Sequence, residues 1–268
     1  MRKKRFLDML LAIVAAVAWV PVLLVSGALV LVFTGRPVLY RSMRRVSSGR
    51  IIRVVKFRTM VKNADKVANR STVPVDNNVR FLNIPPSSPL YTSVGRLLER
   101  CGITELPQFA HVLRGEMSIV GNRPLPENVM VCLRDEYQNA DERFLTKAGL
   151  TGPAQLVGRD ALTDAQRLTL EAAYCRACIT AYSVWLDLSI LIYTVLIVIG
   201  LKKPLGYQGT LDLIDNRSGG RKVVPALPET QPAPTVIEVH QPIRSPLNAE
   251  RVVSQILASE NERQLAAD

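Results

Sequence analysis

Met9 to Gly35 is a run of 27 residues without one charged side chain. At a rise of about 1.5 Å per residue, such a run is long enough to cross a bilayer as a helix. Its flanks restrict how it does so. Arg2, Lys3, Lys4 and Arg5 precede it, and Arg36, Arg41, Arg44 and Arg45 follow it. Basic flanks prefer the cytoplasmic side, and a straight spanning helix satisfies only one of the two. Pro21, near the middle, removes one backbone bond and can kink a helix there. A hairpin that enters and leaves the same leaflet resolves the conflict. A plain spanning anchor is the alternative, since proline is tolerated in membrane helices. No A-x-A-like site follows the run and the next stretch is strongly basic, which argues against a cleaved signal peptide.

The net charge of +11 is local. Residues 1–60 hold twelve Lys and Arg against the single acid Asp8, and the remainder holds 22 charges of each sign. A basic end beside an apolar run points to an anionic membrane surface and an anionic substrate. Nucleic acid, the usual partner of a basic chain, is set aside, because the positive charge flanks lipid-soluble sequence rather than an aromatic-studded domain. The 268 residues leave room for one substantial core beside the membrane segment. Cys175 and Cys178 make a C-x-x-C on a helical pattern with no second ligand pair, so Cys101, Cys132, Cys175 and Cys178 read as free thiols.

Beyond the apolar run, Val38-Leu39-Tyr40 and Ile51–Val55 are β-prone and flank Ser47-Ser48-Gly49, which predicts a short hairpin delivering Lys56 and Arg58 close to the membrane surface. Residues 64–70 read as a helix fragment and 73–89 as an irregular loop. Helices are expected at about 91–100, 104–114, 125–138 and 161–200. The last ends in the uncharged stretch Leu188–Leu201, short for a span and suited to the interface, with Tyr182 and Trp185 at headgroup depth. From Pro204 the composition shifts: residues 216–246 read as linker, and Ser245-Pro246 starts a final amphipathic helix to about Leu265.

Glu99 to Pro126, ERCGITELPQFAHVLRGEMSIVGNRPLP, concentrates the chemistry. Thr104 is a candidate helix N-cap with Glu105 in the first turn, and Asn122-Arg123-Pro124 makes a rigid turn. A helix N-terminus presents unpaired N–H groups and a positive dipole end, and an arginine in a nearby turn can grip phosphate oxygens bidentately. The block reads as a phosphate-handling site containing an acid, or as a capped helix with a surface Glu and an ordinary turn.

These residues resemble the bacterial sugar transferases, the monotopic polyprenyl-phosphate phosphoglycosyltransferases. There, a block reading roughly Ser-Leu-Asp-Glu-Leu-Pro-Gln runs through Asn-Val-Leu-x-Gly-Asp-Met-Ser to Val-Gly-Pro-Arg-Pro. Gly102–Gln108, His111–Ser118 and Val120–Pro124 match it here. Lys56–Met60, Gly149–Gln155, Gly158-Arg159-Asp160 and Trp185-Leu186-Asp187 match further motifs, so the resemblance covers roughly residues 4 to 200. One departure concerns the chemistry: the family's Asp-Glu dyad, whose Asp is the proposed nucleophile, is Thr104-Glu105 here. Ser88 and Leu90 also stand where many members carry Asp and Arg.

The resemblance implies an α+β, mainly helical fold: a re-entrant N-terminal membrane helix, a short β-hairpin and a small helical catalytic domain at the membrane surface. The corresponding domains are 1–36, 37–203 for the catalytic part, and 204–268 for a linker and tail. It implies transfer of a sugar 1-phosphate from a nucleotide-diphosphate sugar, a UDP-sugar for preference, to a membrane polyprenyl (undecaprenyl) phosphate. A nucleoside monophosphate is released, as the first step of polysaccharide or glycan assembly. Localisation would be the cytoplasmic membrane with the catalytic domain on its cytoplasmic face, in contact with membrane lipids and with a second copy or other assembly enzymes as candidate partners. Two phosphates must meet, so cations have to neutralise them, and Lys56, Arg58, Arg123 and Arg159 are the candidates. Mg²⁺ would bridge pyrophosphate oxygens to Glu105, which is both the metal ligand and the acid-base candidate.

Thr104 is the other catalytic candidate, although an alcohol needs a base to act as nucleophile. Direct attack by polyprenyl phosphate, or by Glu105 in its place, are the alternatives. Glu116 and His111 read as structural. Three classes of function remain open at the sequence level: an active transferase, a catalytically impaired relative acting as membrane scaffold, and a transporter, which needs more spans than this sequence offers.

Overall fold

The computed structural model describes residues 2–64, 84, 88–158 and 162–218. It opens with helices α1 (Arg2–Val14) and α2 (Ala16–Thr34), separated at Ala15. The break therefore lies six residues before Pro21, which is carried inside α2. Its cause is a side chain that pattern reading did not weigh. The Ala12 carbonyl, which in an unbroken helix would accept the Ala16 amide, accepts the indole Nε1–H of Trp19 at 3.0 Å. Trp19 is fixed in turn by stacking on Phe109, with ring centroids 5.0 Å apart and planes 7° from parallel. With 19 residues and a mean hydropathy of 2.5, α2 is long and apolar enough to cross a membrane.

Both ends of this segment dock on the same body. On α1, Lys4 Nζ donates to Asp187 Oδ2 at 2.6 Å, to the Val120 carbonyl at 2.8 Å and to Tyr174 at 3.0 Å. Asp8 accepts from the Ser118 hydroxyl and the Ile119 amide, each at 2.9 Å. Arg5 donates to the Val112 and Leu113 carbonyls. At the far end, Arg58 donates to the carbonyls of Thr34, Gly35 and Arg36, the last residues of α2 and the turn after it. Part of the basic flank read as a lipid-facing cluster is thus consumed inside the protein, while Arg2 and Lys3 stay exposed.

The expected hairpin forms from β1 (Leu39–Ser47) and β2 (Arg50–Phe57), antiparallel with Tyr40 opposite Lys56 and Arg44 opposite Ile52. Burial alternates along it with period two. The inner face carries Tyr40, Ser42, Arg44, Val46, Ile52, Val54 and Lys56, with Val46 and Val54 in the core. Arg41, Met43 and Arg53 face outward.

Helix α3 (Ser93–Arg100) is capped by Thr92, whose hydroxyl accepts from the Gly95 amide at 3.0 Å. The helix expected over 104–114 is instead a 3-10 turn, Ile103–Gln108, followed by a single α-turn, α4 (Phe109–Leu113). Gly102, at φ +67°, takes the cap position, so Thr104 lies inside the turn, buried, and caps nothing.

A parallel pair that the pattern did not reveal follows, β3 (Ser118–Val120) with β4 (Gly149–Thr151). Between them lie α5 (Glu127–Glu136) and a 3-10 turn at Ala140–Phe144. Gly121 and Gly149 make the approach of the two strands possible: a Cβ on Gly149 would stand 2.2 Å from the Gly121 nitrogen.

After a short helix α6 (Pro153–Val157), the single long helix expected over 161–200 is two elements, α7 (Asp164–Ala181), opened by a Thr163–Gln166 capping box, and α8 (Val184–Val198). The break at Tyr182-Ser183 turns the chain back so that Asp187 meets the hydroxyls of both Tyr174 and Tyr182 at 2.7 Å. Packing also continues past residue 203. Helix α9 (Tyr207–Arg217) buries Leu211 and Ile214 in the main core with Leu156, Leu170, Tyr174 and Leu186. A catalytic unit ending at 203 would leave these positions uncovered, at a cost of about 1.5–3 kcal/mol for each large apolar side chain. The helix fragment read at 64–70, most of the loop at 73–89, the linker beyond Ser218 and the amphipathic tail lie outside the described residues.

Candidate active site

The inner face of the hairpin looks onto the Ile103–Gln108 turn and the Asn122-Arg123-Pro124 turn that follows β3. Four charged side chains interact there. Glu105 Oε1 accepts from Arg123 Nη2 at 2.6 Å, with both side chains partly exposed. Lys56 stands over the Tyr40 ring, 5.6 Å from its centroid. Burial pushes the Lys56 ammonium below its usual pKa; Glu99 and Glu105 pull it back, while Arg123 and Arg44 press it lower. Arg44 is likewise held down, first by burial and then by the positive charge of Arg123. Its Nε donates to Ser42 Oγ at 3.1 Å, and among the described residues no carboxylate lies within ion-pair distance of it.

Arg123 is anchored from behind. Arg143, fully buried, donates Nη2 to the Arg123 carbonyl at 3.0 Å and pairs with buried Glu171 through Nε at 2.7 Å and Nη2 at 2.9 Å. Asn122 Nδ2 donates to the carbonyls of Arg143 at 2.7 Å and Glu171 at 3.1 Å. The turn is therefore fixed on its core side and presents the Arg123 side chain, about 40% exposed, outward toward Glu105.

The residues expected at the site are distributed unequally. Lys56, Glu105 and Arg123 come together. Thr104 is adjacent, but only 3% of its surface is exposed. Arg58 lies elsewhere, its guanidinium on the carbonyls that end α2, so the structure gives it the work of an anchor. Arg159 lies outside the described residues. Glu116 bonds His111 Nδ1 at 2.6 Å and Arg50 at 3.0 Å, and the His111 bond holds its carboxyl below the usual range, which agrees with a structural reading of both.

Sequence reasoning missed Arg44, although the signal was present: it falls in the same alternation as Tyr40 and Ser42, where an inward position should be apolar. The Arg143–Glu171 pair carried no such signal.

Among the described residues no group of three or more His, Cys, Asp or Glu side chains is placed to hold a metal. Mg²⁺ does not require one. It keeps several waters and binds through one or two carboxylates plus substrate phosphates, and Glu105, beside Lys56 and Arg123, is the carboxylate of that kind at this site.

The family model described as bacterial sugar transferase matches residues 1–201. The exopolysaccharide production protein ExoY of Sinorhizobium fredii is 33% identical over 196 residues, 72% of this chain and 83% of that protein. Galactosyl transferase CpsE of Streptococcus agalactiae is 32% identical over 205 residues, 73% of this chain and 42% of that protein. UDP-glucose:undecaprenyl-phosphate glucose-1-phosphate transferase of Klebsiella pneumoniae is 33% identical over 195 residues, 72% of this chain and 39% of that protein. This chain thus spans less than half the length of the two larger relatives.

Proposed function

The chain belongs to the bacterial sugar transferase family, and on that footing we propose that it is a phosphoglycosyltransferase that moves a sugar 1-phosphate from a UDP-sugar to undecaprenyl phosphate. The observation that carries the reading is the meeting of Lys56, Arg123 and Arg44 around Glu105, with Glu99 the other acid acting on Lys56, three cations to two carboxylates among the described residues. The acceptor phosphate oxygen attacks the sugar-bearing phosphorus, the bond from that phosphorus to the bridging oxygen breaks, and UMP leaves with the electron pair. The cations hold both phosphates in reach of each other and spread the charge that develops, the main demand of phosphoryl transfer. Glu105 orients Arg123 and is the residue that would hold Mg²⁺. Bound there, the ion would neutralise pyrophosphate oxygens. Burial of Thr104 favours direct attack over a covalent intermediate on its hydroxyl.

The membrane segment fits this role as a re-entrant hairpin on the cytoplasmic face. Its two ends are pinned to one body by Lys4 and Arg58, and Arg2, Lys3 and Arg41 remain free for anionic lipid. In a Cys101→Ser background, labels at Lys3→Cys and Arg41→Cys should both react only from the cytoplasmic side; reaction of either from outside intact cells would sink the hairpin. The reaction itself is tested by incubating membranes that carry the full chain with a panel of UDP-sugars and polyprenyl phosphate, and scoring UMP. Release with one sugar is expected. Inactivity with every nucleotide sugar would overturn the transferase reading in favour of a membrane scaffold.

A further inference from the structure

Arg44 and Lys56 occupy the inner face of a hairpin whose other inward positions, Val46, Ile52 and Val54, are apolar and packed on the core. Outward positions on the same strands, Arg41 and Arg53, show where a merely solubilising cation goes. A half-buried guanidinium is costly unless something anionic meets it. Elsewhere among the described residues a cation in such a place meets a carboxylate, as Arg143 meets Glu171, Lys4 meets Asp187 and Arg45 meets Glu127, or two or more backbone carbonyls, as Arg5 and Arg58 do. Arg44 has Ser42, and of its charged neighbours Arg123 repels it while Glu105, which favours its charge, is bonded to Arg123. Among the described residues no carboxylate pairs with Arg44, which leaves its fork open to an anion from outside.

We infer that Arg44 is a substrate-binding residue, a third cation that takes phosphate oxygens from the hairpin side of the site while Arg123 takes them from the turn side. The inference rests on the phosphoglycosyltransferase reading above. The recognised chemistry is a phosphate oxyanion, supplied by the donor pyrophosphate or by the acceptor monoester, and a guanidinium fork suits either. Ser42 orients the fork through Nε and leaves the two terminal nitrogens to the ligand.

The test uses the detergent-solubilised full chain with Mg²⁺ and two probes, inorganic pyrophosphate for the donor side and farnesyl phosphate for the acceptor side, titrated calorimetrically. Arg44→Gln should weaken at least one probe tenfold or more, and the probe affected identifies the source. Arg41→Gln, on the outward face, should bind both within twofold of wild type. Arg44→Lys should bind with intermediate affinity and the wild-type melting temperature; it decides the matter if the glutamine variant does not fold. Wild-type affinity of Arg44→Gln and Arg44→Lys for both probes, with Arg123→Gln impaired, overturns this inference alone. Full affinity in all three variants, or no binding by wild type, overturns the phosphate reading of the whole site with it.

Discussion

Arg143 lies bonded to both oxygens of Glu171 and to a backbone carbonyl in the dry interior, whereas Arg44, on the inner face of the hairpin, bonds one serine hydroxyl and has as charged neighbours a repelling Arg123 and a Glu105 already bonded to that arginine. Lys4 and Lys56 repeat the contrast. Lys4 is buried on Asp187, Tyr174 and a carbonyl, while Lys56 rests on the Tyr40 ring and, among the described residues, has no carboxylate within ion-pair distance. The difference separates two uses of one residue type. Cations that hold the fold bring a carboxylate or several carbonyls with them, because an uncompensated charge in the interior costs several kcal/mol. On the function proposed above, cations that receive a ligand stay half-buried and under-neutralised, and the rest of the fold carries that cost.

The contrast breaks most plainly if activity and stability fail together. Glu105→Gln keeps size and shape and removes the charge, so UMP release should fall by about 10²–10⁴-fold, the range of an acid-base or metal-orienting group, with the thermal transition unmoved. A Glu105→Gln protein that melts early would place Glu105 with the structural charges. Arg143→Met should do the reverse, losing about 3–5 kcal/mol because Glu171 is left buried and unpaired. The double variant Arg143→Met/Glu171→Met should regain most of that stability, and denaturant titration of the set gives the coupling directly. If the double variant is no more stable than the single, the pair is not what holds the turn.

Smaller effects sharpen the boundary. Arg123→Lys keeps charge and loses the planar fork, so turnover should drop by about tenfold, as expected for one charged hydrogen bond. Wild-type turnover would return Arg123 to the role of a plain turn residue. Thr104→Val keeps the branched shape and removes the hydroxyl at a buried position that caps nothing, and should cost about 1 kcal/mol and leave activity within a few-fold. A collapse of activity there, or a phosphosugar adduct on Thr104 when acceptor is withheld, would replace direct attack by a covalent route.

What the sequence made legible follows the reach of its signals. The hairpin was readable because two β-prone runs flank Ser-Ser-Gly, and the Glu105–Arg123 meeting because both lie in one compact block. The bend at Ala15 was not, since it depends on Trp19 finding Phe109 some ninety residues away. Pro21 offered a local signal that the tertiary contact overrode. Strands of three residues, as in β3 and β4, have no period to detect. Arg58 sits in a matching motif, yet its partners are the carbonyls of α2, which only the folded chain brings near. Pro204 marks a change of composition, yet packing does not stop there, since α9 beyond it buries Leu211 and Ile214.

The pinned ends of the membrane segment bear on how the protein meets bilayers of different thickness. A helix free at one end absorbs hydrophobic mismatch by tilting. With α1 held at Lys4 and Asp8, and α2 held at Arg58, neither arm tilts without dragging the domain. In the re-entrant arrangement proposed above, the surrounding lipid would thin or thicken instead, so the depth of Glu105 would be set by protein contacts and the bilayer would bear the deformation.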